Sequence, residues 1–283
     1  MRTYLECIPC FFKQALNAGI IAGADDVTQK EILDRVSRLI PHFGLERRPP
    51  EMGRDIYALV REVTGNSDPF KKVKEEQNKA ALALYPELKK TVEESDDPLL
   101  TAIRLSIAGN IIDYGTSNSF NNDDIGDTVK EVLEKDFAVF DYEKFKNALQ
   151  KTSRVLYLAD NAGEVVFDRI LIEELNRDVI YSVKSEPIIN DALFEDAVFC
   201  GIDKIARVIT NGGDAPGTLL NLCSKEFLDI YNQAELIISK GQGNFEALSD
   251  ENKPIFYLFM VKCACAAEDT GCEMLDIIFK SAL

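Results

Sequence analysis

An α/β fold, doubly wound around a mainly parallel, Rossmann-like sheet and carrying an N-terminal all-α region, is the class that this sequence predicts. Three observations point to it. Residues 1–150 hold helix signals and almost no strand signals, whereas residues 151–283 alternate short β-branched runs with segments of helical period. Strands separated by helices need right-handed crossovers and therefore lie parallel. The runs also end in polar or glycine-rich turns, which a parallel sheet brings to one edge. With 283 residues the chain can bury a substantial core, and two regions are expected: 1–150 as a helical cap and pocket wall, and 151–283 as the α/β core.

In the first region Phe11, Phe12, Ala15 and Leu16 predict a helix with Cys7 and Cys10 near its start. Thr28-Gln29-Lys30-Glu31 has capping-box spacing, and Ile32, Leu33, Val36, Leu39 and Ile40 then share one face until Pro41 stops the helix. Pro49-Pro50 opens the next helix, with Ile56, Leu59, Val60 and Val63 in period. Asp68-Pro69 and Asp97-Pro98 each read as an N-cap followed by proline at the first helical position. After Pro98 the apolar residues Leu99, Leu100, Ile103, Leu105, Ile107, Ala108, Ile111 and Ile112 cover nearly the whole circumference, so this helix should be central and buried. Asn110 and Asp113 stand one turn apart at its end, and two readings fit them: solvated groups at a frayed terminus, or polar groups facing a crevice. A polar loop over 117–124 and one or two helices over 129–149 complete the region.

In the second region strands are expected near 155–159, 179–183, 205–209, 236–239 and 255–261. Their C-terminal ends carry Asp160-Asn161, then Lys184, then Thr210-Asn211-Gly212-Gly213-Asp214, then Lys240-Gly241-Gln242-Gly243-Asn244, then Lys262-Cys263. In an open α/β sheet ligands bind outside the carboxyl ends of the strands, so a carboxylate and a carboxamide side by side suggest a hard cation or a phosphate. Lysines ending three strands of an acidic chain supply fixed positive charge for such a ligand. A second pair, Asn190-Asp191, follows the turn at Pro187. It reads as an N-cap for a helix starting near Ala192, as a further ligand set at the crevice rim, or as both.

Composition narrows the classes. Hydrophobic content of 46% and charged content of 28% belong to an ordinary globular chain. A net charge of −16 argues against a nucleic-acid backbone or an anionic membrane as the main partner. Met1 to Glu6 lacks the apolar core of a signal peptide and no apolar stretch is long enough to span a bilayer, so a cytoplasmic location is expected. Seven scattered cysteines fit reduced thiols better than a disulfide framework. Cys7-Ile8-Pro9-Cys10 supplies only half of a tetrahedral zinc site, which Cys263 and Cys265 could approach in space, and packing is the role expected of it ahead of metal binding or redox chemistry. Gly241-Gln242-Gly243 is followed by Glu246 where a dinucleotide fingerprint has glycine, neither glycine-rich turn continues into a Walker A loop, and His42 is the single histidine. The sequence carries no signal of oligomeric state.

Taken in order, Glu6-Cys7-Ile8-Pro9-Cys10, Arg48-Pro49-Pro50-Glu51, Thr64-Gly65-Asn66 with Asp68-Pro69, Ala108-Gly109-Asn110 with Asp113, Ala159 to Glu164, Lys184 with Pro187 and Asn190-Asp191, Lys240 to Glu246, and Lys262-Cys263 resemble the damage-control phosphatases. This family is also called domain of unknown function 89, and the likeness is to its compact archaeal and bacterial branch. The resemblance implies a divalent-metal-dependent phosphatase of small phosphate monoesters, such as sugar phosphates or related damaged or excess phosphometabolites, using magnesium, manganese, cobalt or nickel. By position it implies metal ligands at Asp160, Asn161 and Asp191, and catalytic parts for Asp160 and for Lys240, which would hold the phosphate. Asn110, Asp113, Lys184, Asn190, Gly241 and Asn244 would bind substrate. The nucleophile would be Asp160 itself or a metal-activated water. One departure is Ala264-Cys265-Ala266, where a proline-containing segment is expected. The implied partner is a small phosphorylated metabolite, with no nucleic acid and no membrane. The rival classes are a carboxyl methyltransferase using S-adenosylmethionine and a non-catalytic phosphometabolite-binding protein.

Overall fold

The computed structural model describes residues 1–110 and 131–282. Five helices open the chain: α1 (Cys7–Ile21), α2 (Asp26–Leu39), α3 (Pro49–Thr64), α4 (Lys71–Glu93) and α5 (Pro98–Gly109). Local chemistry sets most of their starts. Asp97 accepts the Leu100 N–H at 3.1 Å while Pro98 takes the first helical position, as expected. Two other starts differ from the sequence reading. Asp25, not Thr28, caps α2 by accepting the Thr28 N–H at 2.9 Å. Asp68 does not cap α4, which begins at Lys71; its carboxylate instead pairs with the buried Lys74 ammonium at 3.0 Å.

The remainder alternates: β1 (Phe137–Phe140), α6 (Tyr142–Lys151), β2 (Arg154–Leu158), α7 (Val165–Leu175), β3 (Asp178–Val183), α8 (Phe194–Phe199), β4 (Arg207–Thr210), α9 (Lys225–Gln233), β5 (Ile237–Lys240), α10 (Gln242–Leu248), β6 (Ile255–Met260), α11 (Ala264–Thr270) and β7 (Ile277–Ser281). The seven strands form one sheet in the order β1-β7-β6-β5-β2-β3-β4. Every neighbouring pair is parallel except β6 and β7. Strands β1 and β7 were not anticipated. The first lies in the segment read as helical, and both are short pieces whose extended form depends on pairing with each other and with β6.

Helices cover both faces, and the pleat of β2 shows how. Val155, Tyr157 and Ala159 point into a core shared with α4, α5, α6 and α7. Leu156 and Leu158 point into a second core, filled by α1, α2, α3, α9 and α10. The N-terminal helices are thus divided between the two layers. Helix α5, buried almost all round as expected, lies so close to α7 that a Cβ on Gly109 would come within 3.0 Å of the Phe167 ring.

Chain direction then fixes where a ligand belongs. From β2 the chain winds through β3 to β4, and β5 returns on the other flank of β2. The order reverses between β2 and β5, which makes the crevice at their C-terminal ends the topological switch point. Asp160-Asn161 leaves one of these strands, and Lys240-Gly241 ends the other.

Candidate active site

Backbone pairing assembles the cluster. Asn161 and Asp191 oppose each other in an isolated antiparallel bridge. The Ala162 N–H donates to the Asn190 carbonyl and the Ala192 N–H to the Asp160 carbonyl, each at 2.8 Å. These two bonds flank the opposed residues, so Asn161 and Asp191 form a non-hydrogen-bonded pair, the kind whose side chains share one face and lie closest. The turn that delivers Asp191 is strained, because the β-branched Ile189 has φ +46°, which costs roughly 1–2 kcal/mol. Asn190 and Asp191 do not cap the following helix. Leu193 takes the N-cap position, and Asp196 in the first turn accepts its N–H at 2.9 Å.

Asp160, Asn161, Lys184, Asn190, Asp191, Lys240 and Asn244 are all buried. Asn161 Nδ2 donates to Asp160 Oδ2 at 3.1 Å and to Glu164 Oε1 at 2.8 Å. Asn110, the C-cap of α5, donates from Nδ2 to the same two oxygens at 3.0 and 2.6 Å, so it faces the crevice rather than solvent. Lys184 Nζ lies 3.5 Å from Asp191 Oδ2. Gly241 has φ +80°, and a Cβ there would overlap the Asp160 carboxylate. Asp113 falls outside the described residues.

Lys240 stands deeper than the sequence suggested. Its ammonium, fully buried, donates to Glu164 Oε2 at 2.9 Å and to Asp168 Oδ1 at 2.8 Å. Burial alone would lower its pKa, but the two carboxylates outweigh burial and hold it above the ordinary lysine value. Asp168 also accepts from Tyr157 at 2.7 Å, Tyr181 at 2.8 Å and Ser106 at 3.1 Å. Burial and then Asp168 push both phenols well above their usual range, so they remain donors. Asn244 ties the two strand ends together, donating to the Ala159 and Lys240 carbonyls at 3.0 and 2.8 Å while accepting from Thr218 at 2.8 Å.

Sequence reasoning assigned no role to Glu164 or Asp168, yet through Lys240 they connect Asn110 and Asn161 to Tyr157, Tyr181 and Ser106. Asp168 had left a signal, an acid amid Val165, Val166, Phe167, Ile170, Leu171 and Ile172 in a helix apolar on nearly every side. Tyr157 and Tyr181 join it only because β2 and β3 pair them in register.

Among the described residues, no three histidine, cysteine, aspartate or glutamate side chains group so as to hold a metal by themselves. By chemical type, two carboxylates and an amide, those of Asp160, Asp191 and Asn161, are the kind of oxygen donors a hard cation takes. Charge agrees. Asp160, Glu164, Asp168 and Asp191 face Lys184 and Lys240, so four formal negative charges against two positive leave a surplus of two in a buried site.

An open, mostly parallel sheet with an acid and amide cluster at its switch point defines a doubly wound α/β protein, and comparison with known proteins specifies its family. The model of the damage-control phosphatase ARMT1-like domain matches residues 3–278, and the chain belongs to that family. A damage-control phosphatase of Archaeoglobus fulgidus is 33% identical and aligns over 93% of each chain. The damage-control phosphatase PH1575 of Pyrococcus horikoshii is 32% identical, covering 95% of this chain and 94% of its own. The crystal structure of a DUF89 family protein from P. horikoshii superposes over 100% of both chains with a TM-score of 0.92 at 29% identity. No helix among the described residues is long and apolar enough to cross a membrane.

Proposed function

We propose that this protein is a divalent-metal-dependent phosphatase of small phosphate monoesters. The observation that supports the reading is that Asn161, opposed to Asp191 in the isolated bridge, also hydrogen-bonds the Asp160 carboxylate at 3.1 Å. The family's phosphatase relatives support the reaction class. Asp160, Asn161 and Asp191 are the residues that would hold the cation. When bound there, it supplies Lewis acidity toward a phosphoryl oxygen and offsets charge building on the transferring group.

The chain's own groups do the rest. Lys184, beside Asp191, is the ammonium placed to attract an anionic ester. Lys240 acts through Glu164, whose other oxygen orders the amides of Asn110 and Asn161. Asn110 presents a wall of the leaving-group side, and the buried position of the acids keeps bulk water from screening them. Attack by Asp160 or by water shares this arrangement. Rapid quenching with labelled substrate tells them apart, since only direct attack leaves a phosphoaspartate.

The test is phosphate release from a panel of phosphate monoesters by chelator-stripped protein refilled with magnesium, manganese, cobalt or nickel. Asp160→Asn and Asp191→Asn should each lower metal-dependent turnover by at least about 100-fold. Full turnover in both variants, or phosphate release indifferent to chelation, sinks the proposal.

A further inference from the structure

All seven cysteines are unbridged, and two of them, at opposite ends of the chain, meet. Cys7, the first residue of α1, has its Sγ 3.7 Å from Sγ of Cys265, the second residue of α11. The pair is buried, at 9% and 6% exposure, but shallow, since Glu6 and Ala264 beside them are exposed. A small polar oxidant therefore needs little opening to reach the sulfurs. A disulfide requires sulfurs about 2.05 Å apart, so the side chains need close less than about 2 Å. The contact joins α1 to α11, the helix that follows β6.

The two thiols are inequivalent. Cys7 opens a 15-residue helix and its Sγ accepts the Tyr4 N–H at 3.4 Å, and both a helix N-terminus and an N–H donor stabilise a thiolate. Burial raises its pKa, and these groups offset part of that rise. Cys265 also lies in the first turn of a helix, but one of only seven residues, and burial, with the neighbouring Cys7, pushes its thiol up to about 12. Cys7 is thus the sulfur that ionises first.

We propose that Cys7 and Cys265 are an oxidisable pair that forms a disulfide with a hydroperoxide as oxidant, Cys7 attacking and Cys265 resolving. The Cys7 thiolate attacks a peroxide oxygen, the O–O bond breaks and an S–O bond forms, and the departing oxygen leaves as water or alcohol after taking a proton. The Cys265 sulfur then attacks the Cys7 sulfur, breaking the S–O bond, forming S–S and releasing a second water with the Cys265 proton. Two thiols are oxidised by two electrons and one peroxide is reduced. The bond would close a loop spanning nearly the whole chain, the case in which a cross-link restricts the unfolded state most.

The experiment treats the full chain with hydrogen peroxide, quenches with an alkylating agent, and reads intact mass and a non-reducing peptide map. The expected result is two fewer alkyl groups than in the reduced protein alkylated in the same way, a peptide joining Cys7 to Cys265, and a thermal midpoint several degrees above that of the reduced protein. Cys265→Ser should leave a dimedone-reactive sulfenic acid on Cys7, and Cys10→Ser and Cys263→Ser should retain the bridge. Oxygen addition without a cross-link in the wild-type protein overturns the proposal. So does a bridge between any other pair, Cys7 with Cys10 included. The wild-type map decides the matter even where a variant fails to fold.

Discussion

At the scale of single residues, Gly241 does what no other residue can do at its position. Its left-handed φ and its contact with the Asp160 carboxylate leave no room for a side chain. Gly241→Ala should cost about 1–2 kcal/mol in strain. By displacing Asp160 it should also cut turnover by about 100-fold, which steady-state assay together with urea unfolding can check. Glu246, half-buried one helical turn beyond Gln242, titrates instead of fitting tightly. Burial raises its carboxyl from 4.5 to about 7, against a partly compensating hydrogen bond from Gln242 Nε2 at 2.7 Å. The folded protein therefore keeps a proton that the unfolded chain has released, so this group's contribution to stability falls as pH rises from about 4.5 to 7 and stays low above. The loss should be about 1–3 kcal/mol after discounting for solvent. Glu246→Gln should flatten that part of the profile when urea unfolding is compared at pH 5 and pH 8, and an unchanged slope would refute the assignment.

Elements take their boundaries from local chemistry only where one side chain has no better partner. Asp97 is such a case, because its Oδ1 accepts both the Leu100 N–H and the Tyr142 hydroxyl, the latter at 2.7 Å. One carboxylate thus starts α5 and anchors α6. Asp97→Ala should destabilise the protein by about 1–2 kcal/mol, visible as a lower urea midpoint with an unaltered slope, and Asp97→Asn should recover part of it. Asp68 shows the opposite outcome. It precedes a proline just as Asp97 does, but the buried ammonium of Lys74 claims its carboxylate and the helix starts later. Asn190 and Asp191 likewise give up capping because the bridge to Asn161 holds them on the crevice side.

For the molecule as a whole, the site concentrates negative charge inside a chain that is acidic throughout, with a net charge of −16. Repulsion of this kind is relieved by whatever cation binds the folded state alone. A divalent metal at 100 times its dissociation constant should therefore add about 2.7 kcal/mol. That corresponds to a rise of about 5 °C in the unfolding midpoint. Asp191→Asn should abolish the rise. If scanning calorimetry finds equal midpoints with metal and with chelator, the residues named here do not form a cation site.

The sequence by itself determined the fold class, the five strands β2 to β6 and the positions of the polar turns, because period-2 and period-3.6 patterning and a recurring turn chemistry are local properties. It also placed Asn110 within reach of a crevice, though not which way it faced. Tertiary structure alone decided that Lys240 is enclosed by Glu164 and Asp168, that Tyr157 and Tyr181 converge on the same acid, and that Cys7 meets Cys265. Strands β1 and β7 belong with these. The reason is common to all of them: each rests on a partner distant in sequence, and the desolvation that makes a buried charge seek a particular counter-charge exists only once the layers have closed around it.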